Sequence, residues 1–196
     1  MIRLALLRHG ATEWNAVGRL QGHTDIPLSA VGHEQVARNR LPQTYGARVW
    51  YCSPLQRACQ TATALGLRPV IEPALIEMNW GDYEGHTIAE LQARYGPTFT
   101  ANEDRGLDLQ PPGGESPRQV QARLLPWLKS LTAMGEDAGA VTHKGVIRAI
   151  LALAFDWPML GKPPVKLDWR CLQEFRITDA GRPELLAANI PLEPKA

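Results

Sequence analysis

Cysteine, lysine and long apolar runs are all scarce in this chain of 196 residues, and each scarcity removes a class of function. The three cysteines, Cys52, Cys59 and Cys171, are odd in number and form no Cys-x-x-Cys pair, which argues against a disulfide framework or a thiolate zinc site. Reduced, mostly buried thiols are the expectation, and they suit a cytoplasmic location. The longest unbroken apolar stretch, Ala149 to Phe155, has seven residues and cannot cross a bilayer. The opening Met1 to Gly10 holds only four consecutive apolar residues, well short of a secretory leader. Net charge is +1, from 21 basic and 20 acidic residues, without the basic excess that a nucleic-acid or membrane-surface partner would show. No cluster of Asp and Glu offers the hard oxygen ligands of a magnesium site. Gly161-Lys162-Pro163 lacks the upstream glycine and the Ser or Thr of a phosphate-cradling P-loop. A cytoplasmic protein with no metal, no other cofactor and neither a nucleic acid nor a membrane as partner is therefore expected. Nothing in the sequence bears on oligomeric state.

What remains is ordinary globular material: 44% hydrophobic and 21% charged residues, in a length that suits one domain spanning residues 1–196. A folded chain of this size buries roughly 70% of the surface its unfolded form exposes, enough for a core without staples. Of the 21 basic residues, 16 are Arg and 5 are Lys. Codon bias explains such a ratio, and so does a need for planar forks that grip phosphate or carboxylate.

Ile2 to Leu7 is a short apolar run ending in a polar loop, as expected of a buried parallel strand. Ser29 precedes a helical stretch from Ala30 to about Leu41, whose Val31 and Val36 could share a face. Arg48 to Cys52 reads as a strand, and Ser53-Pro54 as the cap and first position of a helix stopped at Gly66. Pro69 to Ile71 is a further short strand. Residues 77 to 115 read as an insertion or lid, with a small capped helix at Thr87-x-x-Glu90 ending at Gly96 and a polar, Gly- and Pro-rich tract from Asn102 to Gly114. Ser116-Pro117-x-Gln119 opens the clearest helix, with Val120, Leu124, Trp127, Leu128, Leu131 and Met134 at the 3.6 period and a kink expected at Pro126. Gly139 to Thr142 is a buried strand that feeds a helix from Val146 to Phe155. Gln173 to Thr178 and Glu184 to Ala188 flank a hairpin turn. Strands alternating with helices imply an α/β domain with a mostly parallel sheet.

Four polar clusters stand where a strand gives way to a loop or helix: Arg8-His9-Gly10, Arg57, Glu77 and His143. In an open parallel sheet the ends where strands run out form the binding crevice. An isolated histidine at a strand end is usually structural. Two arginines, two histidines and a carboxylate together need an anion, and phosphate suits them best.

These clusters lie in longer motifs. Arg8-His9-Gly10-Ala-Thr12-Glu-Trp-Asn15 resembles the opening signature of the histidine phosphatase superfamily, the phosphoglycerate mutase-like family. The likeness continues through Gln21-Gly22, Asp25-Ile-Pro-Leu28-Ser29 and Ser53-Pro54-Leu55-x-Arg57-Ala58-x-x-Thr61-Ala62. It runs on in Glu77-x-x-x-Gly81-x-x-Glu84-Gly85, Gly113-Gly114-Glu115-Ser116 and Thr142-His143-x-Gly145-Val146-Ile147-Arg148. The resemblance implies a three-layer α/β/α sandwich with a mostly parallel central sheet and a small lid, acting as a metal-independent phosphomonoester hydrolase on a small phosphorylated metabolite. By the same resemblance His9 is the nucleophile that forms a phosphohistidine, its other ring nitrogen held by a backbone carbonyl. Arg8, Arg57, His143 and Asn15 would surround the phosphoryl oxygens, with Thr12, Gln21 and the backbone near Gly22 as further pocket candidates. Glu77 would protonate the leaving oxygen, and Glu84 is the next carboxylate should Glu77 not serve.

Lys144 departs from the small or polar residue that many family members carry after the second histidine. Its side chain points to solvent as a helix begins, or it reaches a second anionic group on the substrate. Thr142 stands for the commoner serine and keeps the hydroxyl. Gly161 to Pro164 and the tail from Trp169 match nothing with an assignable role. His23, His33 and His86 read as surface residues, and Arg94, Arg105, Arg118 and Arg123 as solvated charges. Glu115 and Ser116 read first as a helix cap. Trp80 and Tyr83 either line the leaving-group side or pack the lid, and the pocket wall is expected from residues 79 to 112.

Rival chemistries do not fit. Cys52 and Arg57 have four residues between them where a cysteine phosphatase has five, and no Asp-x-Asp of an aspartyl phosphatase occurs. The resemblance leaves two alternatives to hydrolysis: a mutase that returns phosphate to its substrate, or a binding protein that keeps the cage without turnover. The chain is compact beside the cofactor-dependent mutases, and nucleophile and acid are both in place, which favours the hydrolase.

Overall fold

The computed structural model describes residues 1–195. A six-stranded sheet is its frame. In chain order the elements are β1 (Ile2–Arg8), α1 (Glu13–Ala16), α2 (Ala30–Ala37), β2 (Asn39–Arg40), α3 (Gln43–Gly46), β3 (Val49–Cys52), α4 (Gln56–Ala64), β4 (Val70–Ile71), α5 (Ile88–Tyr95), α6 (Pro97–Glu103), α7 (Pro117–Met134), β5 (Ala138–Thr142), α8 (Lys144–Phe155), β6 (Leu172–Ile177), β7 (Pro183–Ile190) and β8 (Glu193–Pro194). The sheet order is β4-β3-β5-β1-β6-β7, parallel from β4 to β1 and antiparallel through β6 and β7.

Both faces of the sheet are covered, which explains the apolar runs Leu4 to Leu7 of β1 and Ala138 to Val141 of β5. Ile2, Leu4 and Leu6 of β1 pack on one face with Leu124 and Leu128 of α7 and Val146, Ile147 and Ile150 of α8. Ala5 and Leu7 point the other way, to Ala58 and Ala62 of α4 and, through it, to Val36 of α2. Three layers result, as the family resemblance implied.

Register decides where the site forms. Leu7 pairs with Val141 and Arg8 with Thr142, while Cys52 also lies opposite Val141, so β1, β5 and β3 end together. The alignment continues one residue further: the amides of His9 and Ser53 donate to the carbonyls of Thr142 (2.9 Å) and Val141 (3.0 Å). Residues far apart in the chain are thereby delivered to one edge.

Several sequence expectations need correction. The helix from Ala30 stops at Ala37, because Asn39–Arg40 pairs with Glu193–Pro194 and Arg40 meets the Glu193 carboxylate. Val31 is exposed while Val36 packs, so the two share no buried face. Ser53-Pro54 does not cap α4, which starts at Gln56 after Leu55; the Ser53 hydroxyl is used elsewhere. The tract after Gly96 is partly helical, with α6 and a single turn at Gly106–Asp108. Met134, at the end of the periodic series in α7, is exposed. The capping boxes at Thr87/Glu90 and Ser116/Gln119 form as expected.

At the opposite edge of the sheet, Arg48 and Glu174 form a buried ion pair at 2.7 Å, the guanidinium stacked 4.4 Å from the centre of the Tyr45 ring. Removing one partner leaves the other charge buried and unanswered. Arg48→Met is expected to lower the unfolding free energy by about 3 kcal/mol, and adding Glu174→Leu to recover much of that loss. Urea unfolding midpoints at unchanged slope read both effects.

Candidate active site

His9 follows the last residue of β1, and its Nδ1 lies 2.7 Å from its neighbour's carbonyl, Gly10 O. A carbonyl can only accept, so Nδ1 carries the proton and Nε2 keeps its lone pair. Burial pushes the His9 pKa well below the usual 6.5, with Arg8 and Arg57 adding to it, while the Gly10 hydrogen bond opposes. His143 follows β5 and caps α8; the two rings lie 5.1 Å apart between centroids. Its Nε2 is 2.7 Å from Ser53 Oγ, which also accepts the Leu55 amide at 3.3 Å. With the Ser53 proton assigned to Nε2, the His143 ring proton falls on Nδ1. Burial again holds this imidazole neutral, supported by His9, Arg57, Arg8 and Arg123.

Arg57 is fully buried in the first turn of α4. Its Nη1 and Nη2 donate to the carbonyls of Thr24 (3.0 Å) and Gly22 (2.8 Å), which fixes the fork and bends the 21–24 loop over it. Arg8 ends β1 beside it. Desolvation lowers the pKa of both guanidiniums, and Glu77 offsets part of that. Six buried side-chain atoms lack a partner among the described residues. Four of them, Arg8 Nε, Arg57 Nε, Gln21 Oε1 and His143 Nδ1, belong to residues of this site; the others are Arg48 Nη1 and Trp127 Nε1. Buried polar groups are seldom left unpaired without a functional reason, and this cluster marks a place built for a polar ligand.

Asn15 sits in the short α1, where its Oδ1 accepts from Thr12 N (3.0 Å) and Thr12 Oγ1 (3.1 Å). The amide nitrogen of Asn15 is thus turned outward as a donor, while the buried Thr12 hydroxyl is spent on the cap. Thr12 acts by orienting Asn15. Gly22 contributes its carbonyl to Arg57 and adopts a φ of 54° against Glu84, where a Cβ would stand 1.8 Å from Glu84 Oε1.

Glu77 lies buried in the segment between β4 and α5. Its Oε1 accepts from Met78 N at 2.8 Å and its Oε2 from Gly145 N at 3.2 Å, so the first turn of α8 aims the carboxylate. Glu84 has no comparable freedom: it accepts from the amides of His23, Thr24 and Trp80 and from the Thr24 hydroxyl. It ties the 23–24 loop to the segment of residues 80–84.

Sequence reasoning missed Arg123. It is no solvated charge, since its guanidinium donates to the carbonyls of Ala74, Ile76 (2.7 Å) and Glu77 (3.2 Å) and pairs with Glu115 at 2.9 Å. Glu115 in turn receives the Asn79 amide at 3.3 Å. Together they hold the backbone that carries Glu77. The i, i+8 spacing of Glu115 and Arg123 across a helix cap was the only signal in the sequence. His23 is exposed, yet its Nε2 reaches Glu77 O at 2.9 Å.

Tyr83 is buried in a small cluster with Leu91 and Phe99, and half-buried Trp80 joins both that cluster and the main core. The open cleft of about 590 Å³ beside His9 is lined by Arg8, Asn15 and Thr61, and also by Trp169, Arg170 and Pro194 of the tail. The sequence expectation of a wall from residues 79 to 112 is corrected for this cleft: none of them lines it, and its far side comes from α2 and the C-terminal segment. Cys52 is buried with its thiol pushed up to about 12 by burial and by Cys59, whose Sγ is 3.6 Å away. Such a thiol is a poor nucleophile. Among the described residues no group of three His, Cys, Asp or Glu side chains could hold a metal, and no helix is long and apolar enough to cross a membrane.

The family model described as histidine phosphatase superfamily (branch 1) matches residues 4–191. A glucosyl-3-phosphoglycerate phosphatase of Mycolicibacterium vanbaalenii is 38% identical over 178 residues, covering 81% of this chain and 79% of that one. A 2,3-bisphosphoglycerate-dependent phosphoglycerate mutase 2 of Gloeobacter violaceus is 33% identical, covering 77% and 74%. Among solved structures, a mycobacterial glucosyl-3-phosphoglycerate phosphatase in complex with VO3 superposes with a TM-score of 0.78 at 28% identity, over 97% of this chain and all of that one. The alpha-ribazole phosphatase of Shigella flexneri gives 0.79 at 26%, over 96% of each.

Two outcomes follow from the geometry. A Cβ on Gly145 would stand 2.3 Å from Glu77 Oε1, so Gly145→Ala should displace that carboxylate in a crystal structure while leaving the sheet unchanged. His9 and His143 titrate below 6.5 when folded and near it when unfolded, so the unfolded chain binds more protons as pH falls. Their contribution to stability is complete above pH 6.5 and shrinks below it. Between pH 6.5 and 5.5 the unfolding free energy should decline less steeply in His143→Gln than in the parent, as read by urea titration.

Proposed function

The chain belongs to the histidine phosphatase superfamily and is a phosphatase of that family, and we propose that it hydrolyses small phosphomonoesters through a phosphohistidine at His9. The observation that carries this reading is the His9 ring. Nδ1 is pinned to Gly10 O, and burial, reinforced by Arg8 and Arg57, holds the imidazole neutral, so Nε2 is a free lone pair among phosphate-binding groups. Nε2 attacks phosphorus in line, the N–P bond forms and the ester P–O bond breaks. Arg8, Arg57, the Asn15 amide and the His143 Nδ1–H receive the equatorial oxygens, with Gln21 and the Gly22 backbone completing the pocket and Thr12 orienting Asn15. Phosphoryl transfer is mostly positioning and charge stabilisation, and the two guanidiniums supply charge that a metal brings elsewhere. Glu77, aimed by Met78 and Gly145, gives a proton to the leaving oxygen and then takes one from the attacking water, which returns His9 and releases phosphate.

The phosphatase names among its relatives, glucosyl-3-phosphoglycerate phosphatase and alpha-ribazole phosphatase, support a small phosphorylated metabolite as substrate. Residues 77–115 are read as a lid on a single domain of residues 1–196, and the protein as cytoplasmic, acting without nucleic acid or membrane.

Turnover quenched without acid should trap one phosphate per site on His9, in an N–P bond stable to alkali and lost in acid. His9→Ala should abolish label and turnover together; a fully active variant, or a label on Cys52, removes the assignment. Chelators should leave activity unchanged. Glu77→Gln should slow esters with poor leaving groups by about 10²–10³-fold and nitrophenyl phosphate far less, since nitrophenolate departs without a proton. Equal losses on both would exclude Glu77 as the acid. Rapid primer-dependent exchange of 2- and 3-phosphoglycerate with little phosphate release would replace hydrolase by mutase.

A further inference from the structure

Lys144 opens α8 directly after His143, and its charge sits where electrostatics disfavours it. The N-terminus of a twelve-residue helix carries the positive end of the macrodipole. One turn on, Arg148 repeats the positive charge at i+4, a like-charge spacing that destabilises an isolated helix. Arg8 of the phosphoryl cage adds to the same field. Desolvation lowers the Lys144 pKa most, and Arg148 and Arg8 lower it further. Neither Lys144 nor Arg148 takes part in an ion pair among the described residues, although eleven such pairs form elsewhere. The carboxylate that offsets them, Glu77, already accepts the Met78 and Gly145 amides.

The side chain is nevertheless held. Lys144 Nζ lies 5.5 Å from the centre of the Trp169 ring, within cation–π range. Arg148 stacks likewise on Trp157 at 5.0 Å. Lys144 does not itself line the cleft that opens beside Arg8 and His9, but Trp169 does, and the exposed ammonium lies over the Trp169 ring. Arg170 and Arg38, which also line this cleft, are occupied by Asp168 and Glu34. A cation without a carboxylate, kept in an unfavourable field and steadied by an aromatic face, is the arrangement expected where an anion from outside completes the site.

We propose that Lys144, steadied by Trp169, is a second anion subsite at the rim of the phosphoryl cage, selecting phosphomonoesters whose leaving group carries another negative charge. The proposal rests on the phosphatase reading for its first subsite, and it names the substrate class: acidic phosphomonoesters in preference to neutral-tailed ones.

The test compares 3-phosphoglycerate with glycerol 3-phosphate, which share the phosphomonoester and differ in the carboxylate. Dissociation constants are measured by calorimetry in the non-turning His9→Ala protein, with Lys144 intact, with Lys144→Ala and with Lys144→Arg. Preference for the carboxylate-bearing ligand should fall about tenfold or more in Lys144→Ala, the scale of a charge-assisted hydrogen bond, and persist in Lys144→Arg. Trp169→Leu should reduce it in part. A preference unchanged by Lys144→Ala, or none in the parent, overturns the subsite. Phosphate release from nitrophenyl phosphate by the intact protein reads the phosphatase assignment separately. Release without a carboxylate preference defeats the subsite alone; preference without release defeats the hydrolase alone.

Discussion

Complete burial of the Arg57 guanidinium demands that its charge be answered, and most of the loop structure around the site follows from that demand. Two of its nitrogens are answered by backbone carbonyls of residues 22 and 24, which forces that loop to fold over the fork. Carbonyls satisfy the hydrogen bonds without neutralising the charge, so the site stays electropositive. Arg8 adds a second desolvated cation, and the consequence is chemical: burial first, with the two guanidiniums adding to it, keeps His9 and His143 from readily taking a second proton. A neutral imidazole with one pinned nitrogen is a nucleophile, and a neutral imidazole with a free N–H is a donor. The same field that attracts an anion thus prepares the groups that meet it.

The carboxylates divide the remaining labour by how their oxygens are occupied. Glu84 accepts four donors and is a rivet between residues 23–24 and the segment around Trp80. Glu115 is paired with Arg123, and the two hold the carbonyls of residues 74 to 77 in place. Glu77 accepts only two amides, one from its own neighbour and one from α8, which orient it and leave lone pairs for proton transfer. Glycine at 145 is what lets α8 come so close, and the chain thereby couples the acid to the helix that carries His143 and Lys144.

Much of this was legible in the sequence. Apolar runs located β1, β3 and β5, because each contributes side chains to the core. Capping boxes located α5 and α7, because both partners of such a cap are local. The polar clusters at strand ends were recognisable because a parallel sheet places its ends together whatever its loops do. Failures came where a distant contact overrode a local signal. Ser53 looked like a helix cap, but the better partner for its hydroxyl is His143, ninety residues away. Arg123 looked solvated, since nothing nearby in sequence announces that it will span three carbonyls of another segment. α2 ended early because the tail pairs with residues 39 and 40.

Residue types and their order along the chain determined the α/β class and singled out His9, Arg8, Arg57, Glu77 and His143 as candidates for an anion site, because strand-end chemistry is a local property. Only the tertiary structure decided how each of these side chains is placed and what it touches. Strand register brought His9 and His143 within 5.1 Å, the carbonyl of Gly10 chose the free nitrogen, and the first turn of α8 aimed Glu77. The tail from Trp169 carried no message in one dimension, yet it walls the cleft and lies under Lys144. Directions, distances and protonation states arise from how separate segments pack and exclude water, and no single segment contains them.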